Sequence, residues 1–225
     1  MNDKTYSLKY EYQLRFSKHQ EYRANVWKIL CKMYFQNYIS ENSIIIDVGA
    51  GWGEFINNIR GEVKYAMDLN PDTKGCLTKG IIFLQQDCSQ KWPIETESLD
   101  VVFTSNFIEH LSNKDSLELM ILEAFRCLKE GGKIICLGPN IKYARGAYWD
   151  FWDHCIPLTE LSLSELLKMN AFNIELCLPR FLPYSMSLGR TPPLIFVKLY
   201  IMLPIIWFFF GKQFLVIGKK RGSVE

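Results

Sequence analysis

Apolar positions along this chain follow two periods that alternate with each other. Short apolar runs at 44–48 (IIIDV), 63–69 (VKYAMDL), 81–87 (IIFLQQD), 99–106 (LDVVFTSN) and 132–140 (GKIICLGPN) read as buried strands. FNIELCL and QFLVIGKK add two late ones. Helical spacing separates them. Tyr22, Val26, Ile29, Leu30 and Met33 share one face of a predicted helix over 22–38. A short helix is expected over 53–60, and Pro71 suits the opening of a helix or turn. Leu117, Met120, Ile121, Ala124, Phe125 and Leu128 recur at i, i+3, i+4, with Ser112 as N-cap and Gly131-Gly132 as the stop. Ser162 and Glu165 form a capping-box pattern. Strands alternating with helices predict an α/β fold, a doubly wound and mostly parallel sheet covered on both faces. Such sheets bind ligands beyond the carboxyl ends of their strands.

Four polar residues fall at four consecutive strand ends: Asp47, Asp68, Asp87 and Asn106. The first strand runs into DVGAGWGEF, with glycine at 49, 51 and 53. Glycine permits sharp turns and close backbone approach, so a strand–glycine turn–helix unit suggests a nucleotide-like ligand. The dinucleotide fingerprint needs a third glycine at position 54, where this chain has Glu54, a carboxylate expected to repel a pyrophosphate. The pattern suits a ligand without phosphates and with a positive centre. Asp68 is placed to accept from both hydroxyls of a ribose. Asp87 is placed to accept from an adenine amino group, with the Cys88 N–H on the ring. S-adenosylmethionine carries all of these groups.

These stretches resemble the class I S-adenosylmethionine-dependent methyltransferases. The likeness rests on DVGAGWGEF, AMDLNP, QQDCSQKWP, LDVVFTSNFIEHL and LKEGGKIICLGPN, in that order over about 44–140. It implies a Rossmann-like sheet of seven strands with the last antiparallel, which QFLVIGKK would supply. It also implies S-adenosyl-L-methionine as cofactor and S-adenosyl-L-homocysteine as product. The loop of Asp47, Gly49, Ala50, Gly51, Trp52 and Gly53 would then lie against the methionine part. Asp68 and Leu69 would meet the ribose, Asp87 and Cys88 the adenine, and Asn106 would close the set. A second likeness, in the texture of YWDFWDHCIPLTELSLSELLKMNAF and RFLPYS, points to members found with bacterial surface-polysaccharide genes.

On this reading 1–225 is one domain: a helical cap over 1–40, a cofactor-binding core over 41–140, and an acceptor side over 141–225. Methyl transfer to a hydroxyl needs a proton removed, which a placed base accelerates by about 10²- to 10⁴-fold. His110 and His154 are rival candidates, each weighed against a structural role. Aromatic rings around His154, with Asp150 and Asp153, suit a sugar acceptor. A small metabolite, lipid or quinone acceptor is the alternative, followed by a non-catalytic cofactor-binding partner and an NAD-dependent oxidoreductase. A lid role for the N-terminal helix would bring Arg15 and Arg23 to the cofactor carboxylate.

Composition changes the picture little. The 225 residues are 48% hydrophobic and 22% charged with net charge +2, which gives no general argument for nucleic-acid binding. Seven scattered cysteines without a C-x-x-C pair argue against a metal site and for a reducing, cytoplasmic interior. The first sixteen residues show no apolar core of signal-peptide length. The exception is LIFVKLYIMLPIIWFFF at 194–210, apolar but for Lys198 and broken by Pro204. It lies at the short edge of a membrane span. The expectation is an excursion over 192–210 that packs on the domain or a second subunit of a homo-oligomer, or lies peripherally on the inner face of a membrane. Lys219, Lys220 and Arg221 would support the membrane contact through anionic lipid.

Overall fold

The computed structural model describes residues 20–184 and 191–222. Helix α1 (Gln20–Met33) leads through a 3-10 turn at Phe35–Asn37 into strand β1 (Ile44–Val48). Then come β2 (Val63–Met67), the single turn α2 (Thr73–Cys76), β3 (Ile82–Leu84) and β4 (Leu99–Ser105). Helix α3 (Lys114–Cys127) passes directly into β5 (Leu128–Pro139). The last part holds α4 (Ile141–Ala144), α5 (Glu160–Met169), β6 (Phe172–Leu178), α6 (Leu194–Met202), α7 (Pro204–Phe210) and β7 (Gln213–Lys220).

The seven strands form one sheet in the order β3-β2-β1-β4-β5-β7-β6, and β7 runs antiparallel to both its neighbours. The order reverses between β1 and β4, which pair in parallel. That reversal opens a crevice at their carboxyl ends. The two-residue period divides the core cleanly. Ile46, Val48, Val102 and Ile134 face the α3–α5 layer with Leu117, Met120 and Leu163. Ile45, Val101, Phe103 and Ile135 face α1, with Trp27, Phe35 and Phe55. Phe55 stacks on Phe103 at 3.5 Å.

Several local expectations are corrected. Residues 53–60 form successive turns instead of a helix, because Asn58 Nδ2 donates to Glu54 O and Asn57 bonds Cys76 O and Thr78 N. Short amide side chains here compete for the backbone, as Asn commonly does. Helix α3 ends at Cys127, ahead of Gly131-Gly132, since buried Leu128 already pairs with Leu99; the glycines sit in a bulge of β5. The N-caps are Asn113, accepting from Ser116 N, and Thr159, in a capping box with Ser162.

The apolar excursion leaves β6 and returns to β7 without a spanning helix. Among the described residues no helix is long and apolar enough to cross a membrane. Pro204 opens α7 and divides the segment into two short helices. Their inner face is anchored on α1 and on Phe181. Tyr34 packs on Phe181 at 4.5 Å, Phe181 on Trp207 at 4.9 Å, and Tyr200 Oη donates to Phe181 O. Tyr22 Oη reaches Pro192 O. The basic cluster expected to assist lipid contact lies elsewhere. Lys220 is buried against Glu97 and Leu128 O, Lys219 faces Glu175, and Arg221 bonds Asn173, all at the far end of β7. Phe181 is fully buried at this junction. Phe181→Ala should therefore lower unfolding stability by about 3–5 kcal/mol, the range for a deleted core aromatic ring. Denaturant unfolding measures it; a loss under about 1 kcal/mol would show that the junction collapses without strain.

Candidate functional site

The glycine turn hangs from the end of β2. Gly49 N and Ala50 N both donate to Met67 O, at 2.9 and 3.1 Å. Gly51 N donates to Asp68 Oδ2 at 2.8 Å. Gly49, Gly51 and Gly53 all have left-handed φ, at 74°, 54° and 72°. At Gly49 a side chain is excluded twice. Its φ strains any L-residue, and a Cβ there would lie 2.1 Å from Phe107 Cγ. What presses on this glycine is thus the loop after β4, and Phe107 closes the β1–β4 crevice over it. Ala50 is buried and Trp52 half-buried.

Asp47 points from β1 into the α1 face of the sheet and is buried at 3% exposure. Its carboxyl is held well above the usual carboxylate range, first by burial, then by the charges of Asp68 and Glu54; the Ile56 backbone N–H pulls it partly back. Glu54 is ion-paired with Arg23 at 2.7 Å, both largely buried. This corrects two expectations. Arg23 meets Glu54, and the repulsion argued for Glu54 is offset by that guanidinium. Arg15 lies outside the described residues.

Asp68 is buried and bridges two backbone N–H groups, Gly51 through Oδ2 and Asn70 through Oδ1, each at 2.8 Å. Burial raises its pKa, while the N–H groups of Asn70, Gly51 and Leu69 hold it down. The neighbouring Leu69 side chain is half exposed at 50%. Asp87 is exposed and accepts from Ser89 N and Oγ, an Asx turn. Cys88 is buried, with its thiol pushed up to about 12 by burial and by Asp87. Its carbonyl takes the Trp92 indole N–H. Asn106 is exposed with a left-handed φ of 48°, and its N–H donates to Leu137 O.

The structure brings the two rival histidines together. Their rings meet edge to face with centroids 4.7 Å apart. His110 ends a 3-10 turn, Ile108–His110, that follows β4. His154 is buried, stacked on Phe151 and tilted against Tyr148. The Glu109 carbonyl accepts from Cys155 N and Ile156 N, which ties the loop carrying His154 to the turn carrying His110. Tyr148 Oη donates to Ile156 O in the same loop. Glu109, which sequence reasoning left without a role, and Asp153, which it read as a sugar contact, complete the cluster. His110 Nδ1 lies 2.9 Å from Asp153 Oδ2, and its Nε2 lies 3.9 Å from Glu109 Oε1. Glu109 is 2% exposed; burial lifts its pKa, and His110 draws it down. Among the described residues no hydrogen bond reaches Glu109 Oε2. One ligand atom each from Glu109, His110 and His154 lies within 4.8 Å of the others. The adjacency of Glu109 to His110 was visible in the sequence, but only the fold supplies Asp153 and His154.

Residues 46–136 match the methyltransferase-domain family. An uncharacterised methyltransferase-like protein of Schizosaccharomyces pombe is 29% identical over 129 residues, which is 54% of this chain and 44% of the relative. The chain spans about half the length of the curated relatives it matches. An S-adenosylmethionine-dependent methyltransferase of Archaeoglobus fulgidus superposes with a TM-score of 0.67 at 19% identity, covering 90% of this chain and 97% of that one. The cyclase SpnF superposes at 0.62 with 15% identity, covering 85% and 79%, so the fold alone does not fix the chemistry. Matched core and sheet order agree: residues 46–136 are similar to the methyltransferase-domain family, and the chain has the fold seen in S-adenosylmethionine-dependent methyltransferases.

Proposed function

We propose that this chain transfers a methyl group from S-adenosylmethionine to a hydroxyl of a saccharide or lipid-linked glycan, working in a reducing interior at the inner face of a membrane. The observation that carries the transfer is the glycine turn joined to Asp68 at the β1–β4 crevice. Asp68 retains lone pairs for two ribose hydroxyls, since each carboxylate oxygen accepts more than one bond. Leu69 offers an apolar face to the adenine, beside Asp87 and Cys88. Buried Asp47 and Asp68 favour a ligand that brings positive charge. When bound, the cofactor supplies an electrophilic methyl on a sulfonium.

The chain's own part is alignment and proton removal, and alignment alone can be worth several kcal/mol. The Asp153 contact at Nδ1 favours the tautomer that carries the lone pair on His110 Nε2, the atom that would take the hydroxyl proton. His110 is also the more exposed of the pair, at 26% for its side chain, whereas His154 is packed among rings. We therefore assign His110 as base and His154 as its packing partner. Trp149 and Trp152 stand exposed in the same loop region, with Asp150 and Asp153, as a surface for a sugar ring. We read the chain as one functional unit, 1–225. A small metabolite, lipid or quinone acceptor would use the same base.

The cluster of Glu109, His110 and His154 favours one second reading: a divalent cation there holds the acceptor oxygen. Imidazole and carboxylate suit zinc, manganese or iron. Chelation separates the two. Turnover that survives EDTA supports the base; turnover lost to EDTA and restored by one of these cations supports the metal.

Calorimetric titration should give binding of S-adenosylhomocysteine and none of NAD; the reverse would end the methyltransferase reading. Asp68→Ala should weaken S-adenosylhomocysteine by about 2–4 kcal/mol, as it deletes charge-assisted acceptors and loosens Gly51. Unchanged affinity would show that Asp68 serves the turn alone. His110→Gln should keep cofactor affinity and lose turnover by at least about 10². Normal turnover would leave positioning as the whole of catalysis.

Asp47 gives a pH signature. Its folded pKa is raised, so above roughly 3.9 the unfolded chain releases a proton that the folded chain keeps. The folded state then loses relative stability as pH rises, until Asp47 ionises. Asp47→Asn should flatten the melting temperature against pH across the weakly acidic range while keeping the acceptor for Ile56 N–H. Parallel profiles for parent and variant would place the titration elsewhere.

A further inference from the structure

The outward faces of α6 and α7 are apolar and uncovered. Phe196, Met202, Ile205, Phe208, Phe209 and Phe210 are each 58–73% exposed. Contiguous patches of this kind are rare on proteins that work free in water and mark contact surfaces. The inner faces are already satisfied by α1, Phe181 and Trp207, so the patch is not a core seeking closure. An outer face this apolar has no partner among the described residues.

Along the sequence the charges of this segment are of one sign. From residue 176 to residue 212 the chain has Arg180, Arg190, Lys198 and Lys212 and no Asp or Glu. Lys198 is exposed on α6. The Arg180 guanidinium donates to Phe209 O and Gly211 O at the end of α7 and lies over the rings of Phe208 and Tyr143. Cations at the margin of an apolar face are what an anionic lipid surface selects. The helices are too short to cross. At 9 and 7 residues they reach about 14 and 11 Å, against roughly 30 Å of hydrocarbon.

We propose that α6 and α7 form a docking surface for an anionic membrane, lying in its plane with the phenylalanines in the acyl boundary and Lys198 and Arg180 at the phosphates. Resting on the acceptor reading above, this makes the acceptor a lipid-anchored molecule. Lys212 O accepts from Asn140 N where β5 ends, so the patch borders the crevice edge of the sheet and meets an acceptor that emerges from the bilayer.

The test is co-sedimentation of the full chain with vesicles, one set of phosphatidylcholine and phosphatidylglycerol in equal parts, the other of phosphatidylcholine alone. The parent should partition onto the anionic set and be released by carbonate. The triple variant Phe196→Gln, Ile205→Gln, Phe209→Gln alters exposed positions only and should partition at least about 100-fold less, since each buried apolar side chain contributes a transfer free energy. Lys198→Glu should reduce partition roughly fivefold or more on the anionic set and little on the neutral one. Calorimetry with S-adenosylhomocysteine is run on each variant. Retained cofactor binding with lost partition supports the surface. A parent that binds cofactor but ignores both vesicle sets overturns it while sparing the methyltransferase reading. A parent that sediments as a dimer in water and becomes monomeric in the triple variant overturns it in favour of a second copy of the chain.

Discussion

The carboxylate of Asp68 is the tie on which the site depends. The turn after β1 is left-handed at three residues, so its N–H groups cannot continue a strand or enter a helix. Buried backbone donors must find partners. They find them at the end of β2: Met67 O takes Gly49 and Ala50, and Asp68 takes Gly51. The same carboxylate holds Asn70, which begins the next loop. One side chain thus fixes two loops that border the crevice. The ordering of the turn is part of the fold and does not wait for a ligand. Phe107, pressed on Gly49 from the β4 loop, sets the third wall.

The pattern of apolar runs was enough to read the sheet and its two covered faces, because strand burial at β1, β4 and β5 leaves no polar face to confuse the period. Strand-end acids were legible for the same reason: a polar residue that interrupts such a run stands out. Boundaries were less legible. The stretch 53–60 suits a helix in sequence, yet the Asn58 amide takes Glu54 O, the carbonyl a helix would give to the Asn58 N–H, and Asn57 is tied across to Cys76 O. Leu128 completes the apolar stripe of α3 in sequence but belongs to β5, where pairing with Leu99 outweighs another helical turn. The histidine pair was illegible as a pair. Forty-four positions separate His110 from His154, and what joins them is a backbone link from Glu109 O to Cys155 and Ile156, which no side-chain pattern encodes.

Electrostatics explain why this crevice favours a cationic guest over a phosphate. Asp68 and Glu54 lie close enough to Asp47 for their charges to raise its pKa, and among the described residues Glu54 is the one with a guanidinium paired with it. Burial makes their ionised forms unfavourable without compensation. A ligand that delivers positive charge relieves that penalty, and one that delivers negative charge deepens it. The turn's N–H groups are also already committed to Met67 O and Asp68. A phosphate would have to compete for them, whereas an ammonium or sulfonium makes no demand on donors.

Topology decides where the apolar excursion must sit. β6 is antiparallel to β7, and β7 is antiparallel to β5, so β6 runs with the parallel strands and ends at their carboxyl edge. β7 begins at that edge, pairing Gln213 with Pro139. Any segment inserted between them starts and finishes at the carboxyl edge of the sheet, the edge on which the crevice opens. It cannot cross a bilayer once, because β7 has to return and pair along its whole length. Pro204 suits this constraint. It stops α6 after nine residues and starts α7, so neither helix grows to a length that would favour insertion along the membrane normal. The anchors then orient the pair: with Tyr200 and Trp207 bonded inward to Phe181 O and Tyr200 O, the remaining aromatic side chains can only face outward. The exposed patch is therefore a consequence of keeping the last strand in the sheet while carrying a run of residues too apolar for water.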